Sequence, residues 1–240
     1  MAISFKISSW LGWCHKSPVP GQPDIPYLMY SESPDVTAIP PMLRRKLNVL
    51  GRACASLVLK LIPENSNIPI VYCSQHGDID RTIHVLNDLT DGEVVSPMQF
   101  SLAVHNAICG VLSIQTRNRA NISALAAGQE GLIPMLLEAA GLLQSGEKQV
   151  VCVMCDAPIP EFYRDEGTQP TQTYAVAFML TAEKGTAIAL AQLSEDINTP
   201  AMDDRPVTAI SLIDFLSASQ TVHKVKHNGS EWQLSKLDCG

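Results

Sequence analysis

Residues 121–128 form a run made mostly of small residues, Asn121-Ile122-Ser123-Ala124-Leu125-Ala126-Ala127-Gly128, which predicts a corner between a strand and a helix. Small residues are common where a strand turns into a helix, because they let neighbouring backbones pack closely. An Ala/Leu/Gly-rich run follows as far as Gln144 and contains Pro134. We therefore expect a short strand over residues 121–124 and a long helix over 126–144. The proline in this helix lacks a backbone donor, so we expect a kink or a solvated carbonyl there.

The segments around this corner predict an α/β domain. Residues 68–73 and 149–156 are continuously apolar, as in strands of a sheet covered on both faces. Apolar spacings of three and four predict a helix of about five turns over 43–61 and a shorter helix over 79–89. Residues 100–115 are apolar nearly all round, which predicts a helix buried on most sides. The alternation implies a mixed, mostly parallel sheet with right-handed crossovers and helices on both faces.

The two ends of the chain add further strands. Residues 1–7 alternate apolar and polar like a strand, and the Pro-rich residues 14–41 predict an irregular surface excursion. Residues 174–180 and 186–192 flank a turn, which predicts a hairpin. A loop at 195–206, a short helix at 210–216 and a strand after 221 would follow. We expect one domain over 1–240, with a C-terminal hairpin and tail over 173–240.

Composition narrows the possible functions. A net charge of −7 argues against a general nucleic-acid binder, since phosphate neutralisation needs clustered cations. No apolar run reaches the roughly 18 residues of a membrane span, and the start lacks the features of a signal peptide. Seven cysteines scattered singly fit a reducing compartment. We expect a cytoplasmic protein without an integral membrane segment.

Two patterns could suggest a metal site. Cys152 and Cys155 have CxxC spacing, but they lie in an apolar strand, and no second pair completes a four-ligand site. His223 and His227 stand four apart, with lysines between them that would repel a cation. We expect neither a metal nor a cofactor.

Four landmarks together resemble the N-terminal, thiolase-like half of the β-ketoacyl synthases. The corner at 121–128 resembles their nucleophile turn, and Ser96-Pro97 followed by Asn106 and Gly110 resembles the helix that leads to the active-site strand. Residues 68–77 resemble the strand that ends in a glycine-containing loop, and 149–156 look like the strand after the nucleophile helix. More narrowly, 41–47 and 74–78 are similar to the chain-length-factor-like proteins of aryl-polyene and type II polyketide systems.

The resemblance implies a protein that has lost its own chemistry. Leu125 occupies the position of the catalytic cysteine, and the two family histidines belong to a carboxy-terminal half that this sequence does not show. The resemblance implies a full-length ketosynthase as heterodimer partner. It places Asn121 and residues Ile122, Ser123 and Ala124 at the partner interface. It also places Met98, Gln99 and Phe100 in the lining of the acyl tunnel.

Other interpretations stay open on the sequence. The chain could be a stand-alone acyl-transfer enzyme with Cys109 or Cys14 as nucleophile. It could dock an acyl carrier protein, attracting that acidic partner through the cations Arg44, Arg45, Lys46 and Arg52. For Met98 and Phe100 the alternative is ordinary core packing, and for the four cations it is a solvated helix face.

Overall fold

The computed structural model describes residues 2–15, 25–63, 66–128, 131–163, 170, 172–193, 209–227 and 229–237. The strands are β1 (Ala2–His15), β2 (Leu28–Ser31), β3 (Ile70–Cys73), β4 (Ile122–Leu125), β5 (Gln149–Asp156), β6 (Tyr174–Thr181), β7 (Thr186–Gln192), β8 (Val222–His227) and β9 (Ser230–Lys236). The helices are α1 (Pro41–Lys46), α2 (Val49–Leu61), α3 (Ile79–Thr90), α4 (Pro97–Ala103), α5 (Ala107–Thr116), α6 (Leu132–Gln144) and α7 (Ala209–Ser217).

All described strands belong to one mixed sheet in the order β4-β3-β5-β6-β1-β7-β9-β8, with β2 beside β1. The predicted mixed sheet is confirmed, but parallel pairing is less extensive than expected. It joins β3 to β4 and β5, and β1 to β2, while every other ladder is antiparallel. The corner lies at one edge of the sheet, because it contains β4, the terminal strand of this order.

The predicted hairpin of residues 174–180 with 186–192 is wrong, because β1 lies between the two strands. Residues 6–14 of β1 pair with β6, and residues 2–7 pair with β7. The connection crosses over β1 at Gly185, whose φ of +113° suits glycine, and a Cβ there would lie 2.3 Å from the carbonyl oxygen of Ile7. A C-terminal hairpin does exist, but β8 and β9 form it.

Helices cover both faces of the sheet, as predicted. Alternate residues of β5 show this, since Val150, Cys152 and Met154 belong to one apolar cluster and Val151, Val153 and Cys155 belong to the other. The first cluster contains buried residues of α6 and α7, and the second those of α1, α2 and α5. Cys152 and Cys155 therefore face opposite sides of the sheet as small buried apolar residues.

Three helix predictions need correction. The helix expected over 43–61 is two helices, because Asn48 caps α2 by accepting a hydrogen bond from the Gly51 backbone N–H. The helix expected over 100–115 is also two, and α4 and α5 are bent by 104°. Helix α6 begins at Leu132, so Pro134 lies in its first turn, where no intrahelical donor is needed and no kink is required.

The remaining predictions fall partly outside the described residues. Within the Pro-rich stretch, β2 pairs with residues Gly12–His15 of β1, while residues 16–24 are not described. The loop expected at 195–206 is not described either, whereas α7 and the late strands confirm the expected helix and strand. In the described parts of the chain no single helix is long and apolar enough to span a membrane, although the bent pair α4–α5 passes that test together.

We predict that Gly185→Ala lowers the free energy of unfolding by about 2 kcal/mol or more, because the added Cβ would meet the β1 backbone. Urea unfolding measures the change. Gly92→Ala is the matched control, since Gly92 also has a positive φ but a Cβ there meets no atom within 4 Å. Equal losses for the two variants would contradict the close approach of this turn to β1.

Candidate functional site

The corner is built as an edge strand that runs into a loop before α6. Strand β4 pairs with β3 in parallel, with Leu125 opposite Cys73, and the Ser74 N–H donates to the Leu125 carbonyl at 3.1 Å. Leu125 is therefore the last residue of the strand. Its half-buried side chain packs against the apolar cluster beneath α6. The position to which the sequence assigned a lost nucleophile holds an alkyl group in contact with the core.

Side chains of β4 alternate between the two faces of the sheet. Ile122 packs against the cluster of α2 and α5, whereas Ser123 points to the side of α6. The Ser123 hydroxyl donates to Glu138 Oε1 at 2.6 Å, a short bond to a charged acceptor. Asn121 and Ala124 are exposed. All four predicted interface residues therefore lie on or beside a sheet edge that has no neighbour among the described strands.

A buried carboxylate organises the loop beside the corner. Asp156 Oδ1 accepts hydrogen bonds from the Ser74 hydroxyl at 2.9 Å and the Gln75 N–H at 2.7 Å, and Oδ2 accepts one from the Tyr174 hydroxyl at 3.1 Å. Burial raises the pKa of Asp156, and these hydrogen bonds oppose that rise. The network ties the ends of β3 and β5 to the start of β6.

This network was not predicted from the sequence. A signal for it was present, because Ser74 and Asp156 each lie where an apolar strand ends. The carboxyl ends of adjacent parallel strands meet at the same edge of a sheet. The contribution of Tyr174 could not be inferred, since it depends on the antiparallel pairing of β6 with β5.

His105 acts as a structural residue next to the same loop. Its Nε2 lies 2.8 Å from the Ser74 carbonyl oxygen, and its ring packs edge-on against Tyr72 at 5.5 Å between centroids. Gly77, with φ of +62°, lies so close that a Cβ would be 3.2 Å from the His105 Cα. The histidine thus has a hydrogen-bond partner in the loop after β3.

Helix α4 exposes the residues assigned to the acyl tunnel. Met98 and Phe100 are each 60% exposed, Gln99 is half-buried, and none of the α4 residues is buried. The prediction that this segment is buried on most sides is therefore wrong for α4. Ordinary core packing does not explain Met98 and Phe100. Their exposure leaves an apolar surface available on this chain.

The four cations do not form one exposed patch. Arg44 donates through Nε to the Ile39 carbonyl, and Arg52 donates through Nε and Nη2 to the Arg44 carbonyl at 3.1 and 2.9 Å. These two side chains satisfy backbone groups around α1 and are half-buried, whereas Arg45 and Lys46 are exposed. Only the latter two have the solvent exposure that docking needs.

The candidate thiol nucleophiles are buried. Cys14 is 3% exposed and burial raises its pKa to about 12, and burial also raises the pKa of the fully buried Cys109 well above the ordinary value. Both thiols are therefore neutral near pH 7, and the thiolate is the reactive form. The Nε2 atom of the neighbouring His15 lies 3.5 Å from Glu32 Oε2.

Of the two late histidines, His223 packs against α7. His223 stacks on Phe215 at 5.4 Å, and its Nε2 lies 3.2 Å from the Ser211 hydroxyl. Burial lowers the pKa of His223. Among the residues that the structure describes, no three His, Cys, Asp or Glu side chains lie close enough together to hold a metal ion.

Comparisons with known proteins agree with this geometry. The family model described as the N-terminal domain of β-ketoacyl synthases matches residues 10–236. A chain in the structure of the ketosynthase ApeO in complex with its chain length factor ApeC, from Xenorhabdus doucetiae, superposes with a TM-score of 0.79 at 22% identity. That match covers 98% of this chain and 100% of the other.

A second solved structure, the ishigamide ketosynthase/chain length factor, gives a TM-score of 0.58 at 13% identity. It covers 82% of this chain and 69% of the other. A comparison with curated protein sequences finds no significant match. At these identities the two superpositions establish a shared fold.

We predict that Asp156→Asn changes how stability depends on pH. The folded state raises the pKa of Asp156 above the value of about 3.9 expected in the unfolded chain, so it binds the proton more tightly. This contribution to stability is complete below the unfolded pKa and is lost as the pH rises through the raised value. The wild type should therefore lose stability relative to Asp156→Asn as the pH rises from about 4.

Urea unfolding at a series of pH values measures this difference. Asparagine can still accept from Ser74 and Gln75, and its amide can donate to the Tyr174 hydroxyl. The control is Asp91→Asn, which makes the same substitution at an exposed position. A constant difference between wild type and Asp156→Asn at every pH would contradict the prediction.

Proposed function

The chain belongs to the β-ketoacyl synthase family, and we propose that it serves there as a non-catalytic, chain-length-factor-like partner of a complete synthase. The proposed setting is aryl-polyene or related polyketide or fatty-acid-type biosynthesis. In this role the chain stabilises the catalytic subunit and shapes the tunnel that receives the growing acyl chain.

The observation that carries the proposal is Leu125 at the end of β4. Decarboxylative condensation needs a thiolate that holds the acyl group as a thioester, together with donors that stabilise the developing enolate. An isobutyl side chain can neither lose a proton nor become acylated. The buried thiols Cys14 and Cys109 offer no substitute, because burial keeps them protonated.

Two exposed features support a synthase as partner. The open edge of β4 can extend the sheet by pairing with a strand of another subunit, and α4 presents the apolar side chains of Met98 and Phe100 to solvent. In the proposed heterodimer β4 pairs with the synthase. Residues 98–100 would then reach the partner's acyl tunnel, where their volume limits the number of extensions.

The solved structures with a similar fold support the same partner. Both are described as a ketosynthase with a chain length factor, and one of them is a chain of nearly the same extent as this protein. We include an acyl carrier protein as a further partner of the complex. The exposed cations Arg45 and Lys46 are the residues available to attract such an acidic protein.

We predict that the purified chain forms no carbon–carbon bonds from malonyl thioesters, whereas its complex with a β-ketoacyl synthase does. Mass spectrometry of the acyl products measures condensation. Replacement of the synthase's own catalytic cysteine by alanine should abolish activity of the complex, and Leu125→Ala in this chain should preserve it. Condensation by this chain alone would overturn the proposal.

We further predict that Phe100→Ala in the complex gives longer products or a broader distribution, because the smaller side chain leaves more room in the tunnel. Product lengths are measured by mass spectrometry after a fixed time. Phe162→Ala is the matched control, since Phe162 is 73% exposed but lies outside α4. Identical products from wild type and Phe100→Ala would remove Phe100 from the tunnel.

A further inference from the structure

The free edge of β4 has a defined set of unpaired backbone groups. The carbonyls of Asn121 and Leu125 accept hydrogen bonds from Ile70 and Ser74, on either side of the β3 ladder. Because backbone groups of successive residues point to opposite sides of a strand, Ile122 and Ala124 present their N–H and C=O groups outward. These two residues are what an added strand must pair with.

A second copy of this chain that pairs its own β4 antiparallel with this β4 is related to it by a two-fold axis. In the symmetric antiparallel register that joins Ile122 to Ala124 of the second copy, Ser123 lies opposite Ser123 of that copy. This would be a non-hydrogen-bonded pair of the antiparallel ladder, in which the two opposite Cα atoms lie about 4.5 Å apart. The two serines would therefore meet at the axis, on the face of the sheet that carries α6.

Glu138 makes this symmetric arrangement unfavourable. The bond of 2.6 Å from the Ser123 hydroxyl holds the carboxylate beside the strand, and the side chain is half-buried. Within the described part of the chain no lysine, arginine or histidine forms an ion pair with it. Two copies would bring two uncompensated carboxylates together at the axis, where partial burial limits screening by salt.

We propose that Glu138 makes the β4 edge reject a second copy of this chain and accept a β-ketoacyl synthase that presents a neutral or cationic side chain opposite it. The inference rests on the proposed function for the identity of the partner. It adds a physical reason for a heterodimer in place of a homodimer, since like charges that face each other across an interface disfavour pairing of two copies of this chain.

Self-association tests this directly. Sedimentation equilibrium of wild type and Glu138→Gln, each alone, should show self-association at least about tenfold tighter for the variant, because the repulsion is removed while the amide oxygen still accepts from Ser123. Glu147→Gln removes the same charge at an exposed site beyond the end of α6 and should match wild type. Equal self-association of wild type and Glu138→Gln would overturn the proposal.

Charge complementation gives a second, independent readout. A mixture of wild type with Glu138→Lys should form dimers more tightly than either protein alone, because opposite charges then face each other across the axis. If Glu138→Lys unfolds cooperatively but its mixture with wild type dimerises no more tightly than either protein alone, the placement of Glu138 at the axis is contradicted. Thermal unfolding of each variant shows whether it is folded.

The partner is tested separately by mixing the wild type with the synthase. Two results together support the inference. The wild type forms a heterodimer with the synthase, and Glu138→Gln forms a larger fraction of homodimer than the wild type does. If the wild type does not bind the synthase while Glu138→Gln still self-associates more tightly, the proposed function fails but rejection of a second copy stands. If the wild type binds the synthase and Glu138→Gln behaves like wild type alone, only the role of Glu138 fails.

Discussion

Parallel pairing of β3 with β4 on one side and β5 on the other is the constraint on which the site depends. All four β3 residues are buried, so this short strand has one register in which its side chains reach both apolar clusters. That register places Leu125 beside Cys73 and brings Ser74 to Asp156. The corner and the neighbouring loop are therefore fixed by the same three strands.

The loop beside the corner is well supported, although the residue that ends β4 is a leucine. The buried Asp156 network, together with His105, holds the loop after β3 in one conformation. Such rigidity is what a condensing enzyme would need around a nucleophile, yet the residue at the end of β4 is leucine. A fold can retain the support of a site after the reacting group has gone, because packing and hydrogen bonding of the support also stabilise the domain.

The exposed surfaces of β4 and α4 belong to the two elements that, according to the family resemblance, contact a partner subunit. The four-residue edge strand β4 has a free side, and α4 exposes apolar side chains instead of burying them. The Glu138 carboxylate at the same edge adds a charge that distinguishes one possible partner from another. An exposed edge generally requires such protection, because unpaired backbone groups accept any strand of suitable shape.

The amino-acid sequence alone was enough to predict the type of most elements, the mixed sheet between two layers of helices, the family resemblance and Leu125 at the corner. These depend on local periodicity and residue identity, which can be read along the chain. It could not place β1 between β6 and β7, because nothing in residues 174–192 records the strand that separates them. Nor could it divide the predicted helices at Asn48 and before Asn106, or join Tyr174 and Glu138 to the site. Those features became visible only in the three-dimensional fold, since they arise from contacts between segments far apart in sequence, whose partners local patterns do not specify.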